Sequence, residues 1–340
     1  MLFDKILGLF SKDLAMDLGT ANTLIYKKGN GVVLNEPSVV ALSRDTGKLL
    51  AVGQEAKEFL GRTPKKIEAV RPMKDGVIAD FKVTQEMIKY FLTKVQGSRL
   101  VHPRVVIGVP TGITQVEKRA VIEAADSAGA RSVHLIDEPM AAAIGANINI
   151  EEPYGNMIVD IGGGTTEVAV ISLSAIAYSE SIRVAGDEAN EAIMRYMQRK
   201  FQLLIGENTA EQAKIIIGNA FPKEAPPTYD IAGKDIVSGR PKVVTVTEKE
   251  MRSALAEPIQ AILQAIRRAL EKTPPELASD IHESGITLAG GGALLKGLDK
   301  LIAHYTKLKV NMTEDPLTSV VLGTGIAVEN MSAYQNIFVN

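Results

Sequence analysis

Apolar and polar positions along the chain repeat in an order that predicts two α/β halves of similar build. Residues 14–42 read as short strands separated by turn residues, and "VTQEMIKYFLTKVQ" has the period of an amphipathic helix. A buried strand "RVVIGVP", a helix that Gly129 ends and a strand "SVHLI" follow. From Met157 the order starts again, with three strands and then helices alternating with strands. We therefore predict an internal duplication in which two α/β halves face each other.

The stretch between Pro222 and Pro241 interrupts the second half. It is polar and rich in Pro and Gly, which predicts an insertion with a small hairpin rather than a linker between independent domains. Two unrelated α/β domains would give a similar order of elements, so the duplication depends on motifs that occur in both halves.

Two glycine turns occupy the same place in the two halves. In "MDLGTANTLIY" Asp17 ends an apolar strand and Gly19 lies in the turn, while in "VDIGGGTTEVAVI" Asp160 ends the strand and three glycines follow. Backbone N–H groups that point outward from such turns can bind an anion, and the nearby carboxylates suit a hydrated Mg²⁺ ion. Either turn alone is more often an ordinary hairpin. Together they predict a clamp for a metal-bound polyphosphate.

A third motif, "LIDEPMAAAIGA", places two acids between a strand and a helix. Asp137 and Glu138 end the strand, and Pro139 stands where a first helical residue belongs. Carboxylates at this end of a strand lie where α/β proteins bind ligands, so Glu138 is a candidate base for the water that attacks a γ-phosphate. The alternative is an acid that only complements the helix dipole.

Two further segments are rich in glycine. In "ITLAGGGALLKGL" a buried strand ends at Gly290, Gly291 and Gly292, which would let a base or ribose lie against the backbone. The segment matches neither G-x-G-x-x-G nor a P-loop, so dinucleotide and Walker sites lack support. Residues 321–329, "VLGTGIAVE", predict a helix of small residues that mirrors the one after Glu138. Two such helices crossing between the halves would act as a hinge.

Composition and charge exclude several classes of function. The net charge is −2 and acidic and basic residues are interspersed, so the sequence lacks the basic patch that is typical of nucleic-acid binding proteins. The chain has no cysteine, so disulfides, thiol catalysis and cysteine zinc sites are excluded. No apolar run reaches the roughly 20 residues that span a bilayer.

The N-terminal segment "MLFDKILGLFSK" predicts a short amphipathic helix. Asp4 and Gly8 interrupt the apolar centre that a signal peptide needs. The pattern favours an interfacial membrane anchor over a helix packed on its own domain. Its apolar face comprises Leu2, Phe3, Ile6, Leu7, Leu9 and Phe10.

The motifs in series resemble the actin, Hsp70 and sugar-kinase ATPase superfamily, and most closely the MreB-type bacterial actins. The resemblance covers nearly the whole chain and departs at Asp137, where a glutamate is expected. The segments that carry it are "DLGTANT", "NEPSVVA", "RPMKDGVIADF", "DIGGGTTEVAVISL", "PPELASDI", "LAGGGALL" and "EDPLTSVVLGTG".

The resemblance implies an actin-like α/β fold with two ribonuclease H-like halves, four subdomains and a nucleotide cleft between the halves. The implied ranges are 1–12 for the membrane helix, 13–144 for the first half with a small subdomain at 34–77, 145–319 for the second half with a small subdomain at 186–250, and 320–340 for a returning helix. It also implies ATP or ADP with Mg²⁺, and hydrolysis coupled to assembly into double protofilaments. The filaments would bind anionic lipid at the inner face of the cell membrane and associate with membrane proteins of the cell-wall elongation machinery. Their role would be to direct cell-wall synthesis and maintain rod shape.

The resemblance also implies roles for the residues that stand at matching positions of the family motifs. Glu138 and Asp160 would be catalytic, with Asp17 and Asp160 binding the metal through water. Leu100 and Val101 of "GSRLVHPR" would form a membrane-facing loop, although a buried loop fits them equally well. The nucleotide would contact Asp17, Gly19, Thr20, Ala21, Asn22, Gly162, Gly163, Gly164, Thr165, Glu211, Lys214, Gly290, Gly291, Gly292 and Ala293.

Two other members of the superfamily remain as alternatives. An Hsp70-like ATPase would share the clamp but needs a peptide-binding domain, for which residues 330–340 leave no room. A small-molecule kinase would need an acid placed for a substrate hydroxyl, and no sequence feature singles one out.

Overall fold

A computed structural model describes residues 13–96, 102–222 and 227–339. We keep the names first half for residues 13–144 with the return segment 320–339, and second half for residues 145–319. The elements up to the first connecting helix are β1 (Leu14–Leu18), β2 (Asn22–Lys27), β3 (Gly31–Pro37), β4 (Val40–Ser43), β5 (Leu49–Val52), α1 (Gln54–Phe59), β6 (Ile67–Val70), β7 (Met73–Lys74), β8 (Val77–Ile78), α2 (Phe81–Val95), β9 (Arg104–Val109), α3 (Gln115–Ala128), β10 (Ser132–Asp137) and α4 (Glu138–Gly145).

The remaining elements include two short 3₁₀ helices at Gly291–Leu294 and Gln335–Ile337. The strands and α-helices are β11 (Asn156–Ile161), β12 (Thr166–Ser172), β13 (Ala175–Ile182), α5 (Gly186–Phe201), β14 (Leu203–Leu204), α6 (Glu207–Ile217), β15 (Thr228–Asp235), β16 (Pro241–Thr247), α7 (Glu248–Ala254), α8 (Ala256–Lys272), α9 (Pro275–Ser284), β17 (Ile286–Ala289), α10 (Leu298–Thr306), β18 (Val310–Met312) and α11 (Ser319–Glu329).

The two halves contain five-stranded sheets of the same order. One runs β3-β2-β1-β9-β10 and the other β13-β12-β11-β17-β18. In each, the first three strands pair antiparallel and the last two join the sheet parallel. The predicted duplication of an α/β architecture is confirmed. Because β1, β9 and β10 are parallel, their carboxyl ends meet at one edge, where Asp17 and Glu138 are found.

Each half also carries a three-stranded sheet outside the duplicated core. The order is β5-β4-β6 in the first half and β14-β15-β16 in the second. The hairpin predicted between Pro222 and Pro241 extends to Thr247, because β16 begins at Pro241 and pairs with β15 along its whole length. A proline is tolerated there because β16 is an edge strand. The exact subdomain boundaries stay a prediction.

Helix α3 shows how local sequence sets an element's ends. The Thr114 hydroxyl accepts from the Glu117 N–H at 3.2 Å, and the Glu117 carboxylate accepts from the Thr114 N–H at 2.7 Å. This capping box satisfies two N–H groups that the helix leaves unpaired. Gly129 ends the helix with φ of 110°, a conformation that glycine adopts without strain. The predicted end of this helix is confirmed.

The helices α4 and α11 cross in close backbone contact where the chain passes between the halves. A Cβ on Gly323 would lie 2.7 Å from the Gly145 nitrogen and closer still to the Ala141 carbonyl oxygen. A Cβ on Gly145 would lie 2.9 Å from the Gly323 nitrogen. Only glycine fits at either position. The predicted crossing is therefore present, and its action as a hinge stays a prediction.

Among the described residues, the three larger hydrophobic cores follow this layout. One fills the first half under β1 and β9, and one fills the second half under β11 and β17. The third contains residues of both halves together with α4 and α11, including Ala15, Ala142, Ile158 and Ala327. The crossing helices are therefore part of a continuous core that joins the halves.

Candidate functional site

The turns after β1 and β11 face and touch each other. A Cβ on Gly163 would lie 2.6 Å from the Ala21 Cβ, and one on Gly164 would lie 3.0 Å from the Asp75 Cα. The Thr20 hydroxyl accepts from the Gly76 N–H at 3.0 Å, which holds the first turn against the loop after β7. Gly163 and Gly164 are thus required by the close approach of the two halves. Both turns line the same cleft, as the predicted clamp requires.

Asp17 and Asp160 both line the cleft at these turns, close enough for the charge of Asp17 to act on Asp160. Burial raises the pKa of Asp17 to about 7. Burial, with the charges of Asp17 and Glu167, raises the pKa of Asp160 to about 8. An acid whose pKa is raised on folding holds its proton in the folded state. The metal-free fold therefore loses stability as the pH rises from about 4 towards 8.

Glu138 adds a third acid to this cleft. It is the first residue of α4, and no donor among the described residues bonds its carboxylate. Burial raises the pKa of Glu138 well above its ordinary value, and the charges of Asp17, Glu167, Asp160 and Asp137 raise it further. Mutually repelling acids in one desolvated place are typical of a functional site.

The arrangement of the acids fits a hydrated cation. Within the described part of the chain, no three acidic or histidine side chains stand close enough to ligate one metal ion directly. A bound cation would neutralise the repulsion between Asp17 and Asp160, and Mg²⁺ keeps several of its waters when it binds proteins. These two carboxylates are therefore the residues that could hold Mg²⁺ through water.

A cleft of about 420 Å³ opens beside the acids. This volume lies within the range of small-molecule sites. All the predicted catalytic and nucleotide-contacting residues line the cleft except Ala293, namely Asp17, Gly19, Thr20, Ala21, Asn22, Glu138, Asp160, Gly162, Gly163, Gly164, Thr165, Glu211, Lys214, Gly290, Gly291 and Gly292.

Ala293 is the predicted contact residue that does not line the cleft. The short 3₁₀ helix that follows Gly290 turns Ala293 into the core of the second half, where it is fully buried. Gly290 has φ of 80° and its N–H bonds to the Pro316 carbonyl at 2.8 Å. The three glycines line the cleft and the alanine behind them does not.

Glu211 and Lys214 of α6 belong to the cleft wall and not to a solvated helix face. Lys214 donates through Nζ to the Gly186 carbonyl at 2.8 Å, and burial lowers its pKa. Glu211 pairs with Lys57 at 2.9 Å, and Glu207 pairs with Arg71 at 2.5 Å. Both ion pairs join α6 of the second half to the first half. Of these four side chains, Glu211 lines the cleft.

Sequence reasoning missed several cleft residues. Asp187 and Asn190 lie in the first turns of α5, which begins next to the second glycine turn, because the Asp187 N–H bonds to the Gly163 carbonyl at 2.8 Å. The Asn190 side chain is buried, and no donor in the described part of the chain bonds its Oδ1 atom. An unpaired buried acceptor that lines a cleft indicates a ligand that donates to it. The segment "GDEAN", an acid-rich helix start after a strand, was the available signal.

The proposed membrane residues Leu2, Phe3, Ile6, Leu7, Phe10, Leu100 and Val101 lie outside the described residues. Among the residues that are described, no helix combines the length and apolarity needed to cross a bilayer.

Comparison with known proteins gives a close match over nearly the whole chain. The family model described as MreB/Mbl protein matches residues 11–336. The chain is 51% identical over 324 residues to the cell shape-determining protein Mbl of Bacillus subtilis, covering 95% of this chain and 97% of that protein. It is 52% identical over 334 residues to the cell shape-determining protein MreB of Escherichia coli, covering 96% of each.

Solved structures agree with these sequence matches. MreB5 of Spiroplasma citri, in crystal structures bound to AMPPNP and to ADP, superimposes with a TM-score of 0.91 at 38% identity. The match covers 96% of this chain and 98% of that one. A MamK filament structure, 21% identical, has a TM-score of 0.82 over 94% of this chain and 99% of that one. The actin-like fold predicted from the sequence is confirmed.

Proposed function

Because the chain belongs to the MreB/Mbl family, we propose that it is an ATP-dependent, filament-forming cytoskeletal protein that binds the inner membrane surface and directs cell-wall synthesis and rod shape. The observation that carries the nucleotide-dependent part is the pair of touching glycine turns above the Asp17–Asp160 pair. The cell-shape part is supported by the relatives named above, both described as cell shape-determining proteins.

The cleft is proposed to bind ATP and ADP. The related Spiroplasma protein has been solved with AMPPNP and with ADP, and its chain is matched along 98% of its length. Here the N–H groups of the two glycine turns would bind the phosphates, since glycine leaves them accessible. Gly290, Gly291 and Gly292, with the Asn190 amide, would contact the nucleoside.

Mg²⁺ is proposed to accompany the nucleotide. Asp17 and Asp160 would hold it through water, and the cation would supply positive charge to the phosphates and to the leaving oxygen. Their raised pKa values fit this role because a nearby cation stabilises the ionised form of both acids. Binding would therefore release protons near neutral pH.

Glu138 is proposed to act on the attacking water. Among the described residues no donor bonds its carboxylate, and it lines the cleft together with Gly162 and Thr165. It can therefore accept a hydrogen bond from water and hold its proton as the water attacks the γ-phosphate. Thr20 and Thr165 contribute hydroxyl donors that orient the phosphate oxygens.

Assembly and partners are inferred from family membership. We propose double protofilaments of this chain, contact with anionic lipid through the N-terminal segment and the 100–101 loop, and association with membrane proteins of the elongation machinery. A small-molecule kinase or an Hsp70-like ATPase remains the alternative. Phosphate release that depends on an added sugar would favour a kinase, whereas sedimentation that depends on ATP favours a filament.

Changing Asp160 to Asn tests the nucleotide clamp. The variant is expected to bind ATP in the presence of Mg²⁺ at least about tenfold more weakly, a loss of about 1.4 kcal/mol. Its thermal midpoint without ligand is expected to stay or rise, because one of several buried acids that repel each other is gone. Titration with a fluorescent nucleotide, with and without Mg²⁺, measures the first effect, and ATP-dependent pelleting measures assembly.

The control for this experiment is Asp126→Asn, which removes an exposed acid near the end of α3. It should behave as the unchanged protein in both assays. Wild-type Mg²⁺-dependent affinity in Asp160→Asn would contradict the clamp.

Deleting residues 2–12 tests the membrane anchor. The shortened protein is expected to stay in the supernatant when anionic liposomes are pelleted, because the apolar face of the segment supplies the buried area. Its ATP hydrolysis should be unchanged, since the residues proposed to bind the nucleotide and to act in catalysis all lie outside this segment. Liposomes without anionic lipid provide the control, and undiminished pelleting of the shortened protein would reject the anchor.

A further inference from the structure

A buried carboxylate outside the predicted site, that of Glu167, joins the two halves. Its Oε2 accepts from the Thr111 backbone N–H at 3.1 Å and from the Thr111 hydroxyl at 2.5 Å. Its Oε1 accepts from the Ser181 hydroxyl at 2.5 Å. Thr111 follows β9 in the first half, while Glu167 and Ser181 lie on β12 and β13 of the second. The bond to Thr111 is therefore a link between the halves.

This link differs from the other polar side-chain contacts that cross between the halves. Glu167 is 1% exposed and Thr111 is 7% exposed. Among the side-chain contacts between the halves in the described ranges, this is the one in which both partners are buried. Solvent and salt therefore screen it least. The crossing ion pairs all have partly exposed partners: Lys57–Glu211, Arg71–Glu207 and Arg183–Glu117.

The link lies beside the proposed catalytic acids. Glu167 stands directly opposite Asp160 in the register of β11 and β12. Thr111 lies two residues beyond the end of β9, and a Cβ on Gly108 of that strand would lie 3.6 Å from the Glu138 Cγ. One end of the link is thus attached to the strand that supports Glu138, and the other to the strand that follows the second glycine turn.

Placing a carboxylate here costs stability. Like charges directly opposite each other on neighbouring strands are destabilising, and Asp160 is the neighbour. Burial raises the pKa of Glu167 although three hydrogen bonds oppose the shift. A neutral glutamine could accept from Thr111 at a lower cost. A costly charged group next to reactive acids indicates a role in function rather than in stability.

We propose that Glu167 is a positioning residue for ATP hydrolysis, which by holding Thr111 keeps Glu138 of the first half in register with the Gly162–Thr165 turn of the second. This inference rests on the proposed function. The water-activating acid and the phosphate turn belong to different halves, so a small slip between the halves separates them. A misplacement of about 1 Å can cost on the order of 10²-fold in rate. The link therefore acts on turnover and leaves nucleotide binding largely unchanged.

The variants Thr111→Val and Thr111→Ser test this proposal as a pair. Valine removes the hydroxyl donor while keeping the shape and the backbone N–H, and serine keeps the hydroxyl. We expect kcat for phosphate release to fall by about tenfold or more in Thr111→Val, with the nucleotide Kd within about twofold. Thr111→Ser should restore kcat to within about threefold of the unchanged protein.

Glu167→Ala and Ser181→Ala complete the design. Glu167→Ala should lower kcat at least as much as Thr111→Val, whereas Ser181→Ala breaks only the bond inside the second half and should have little effect. Unchanged kcat in Thr111→Val, equal losses in kcat and affinity, or a Ser181→Ala loss as large as that of Thr111→Val would each overturn the proposal.

If Glu167→Ala fails to fold, the two Thr111 variants alone decide the test. Two outcomes then separate this proposal from the proposed function on which it rests. Unchanged protein that releases no phosphate from ATP contradicts the proposed function and this role with it. Hydrolysis that is indifferent to Thr111 contradicts this role alone.

Discussion

Replacing Glu138 with Gln is expected to slow ATP hydrolysis by about 10²–10⁴-fold, the usual contribution of a positioned general base. The amide cannot accept the proton of the attacking water, and nothing else in the proposed site replaces it. Nucleotide affinity should change by less than about threefold, because the phosphate turns and both metal-binding acids remain. Single-turnover phosphate release and nucleotide titration measure the two effects separately.

The protein without ligand provides an internal check on this variant. Glu138 is a buried acid that repels its neighbours, so the neutral side chain should leave the thermal midpoint unchanged or raise it. The control is Glu151→Gln, which changes an exposed acid in the loop before β11. A hydrolysis rate equal to that of the unchanged protein would remove Glu138 from its proposed role.

Replacing Gly323 with Val is expected to prevent the two halves from packing normally. The first added carbon alone would lie 2.7 Å from the Gly145 nitrogen, and the obstructing atoms are backbone that cannot rotate away. Forced overpacking typically costs about 1–3 kcal/mol and more where the neighbours are rigid. We expect a loss of at least about 3 kcal/mol, seen as a lower urea midpoint or as loss of soluble protein.

The matched control for this variant is Gly206→Val. A Cβ at Gly206 meets nothing within 4 Å and its φ of −85° is accessible to other residues. Its unfolding midpoint should shift by less than about 1 kcal/mol in equivalent free energy. Equal midpoints for the Gly323 and Gly206 variants would show that the helices can separate at little cost.

The sequence predicted those site residues that stand next to a strand end or in a glycine turn. Asp17 and Asp160 could be found because the same motif occurs in both halves, and the common order of the two sheets places both turns at one cleft. Glu138 could be found because it ends a strand before a helix proline. In each case local sequence decides where the side chain stands.

The residues that were missed depend on contacts between distant segments. Glu167 occupies one position in an alternating strand, and its role depends on Thr111, which lies 56 residues earlier. Asn190 reads as an ordinary polar residue of a helix until α5 is placed against the second glycine turn. Ala293 was expected at the ligand because the glycine run continues into it, but the turn of a 3₁₀ helix directs it into the core.

The ion pairs Lys57–Glu211 and Arg71–Glu207 stand beside the cleft and join parts of the chain that are 154 and 136 residues apart. Separating the two halves on that side would require both ion pairs to break. The strength of this connection depends on ionic strength, because salt screens partly exposed charges and spares buried ones. A molecule with this construction couples the electrolyte of its surroundings to how firmly its two halves are held together.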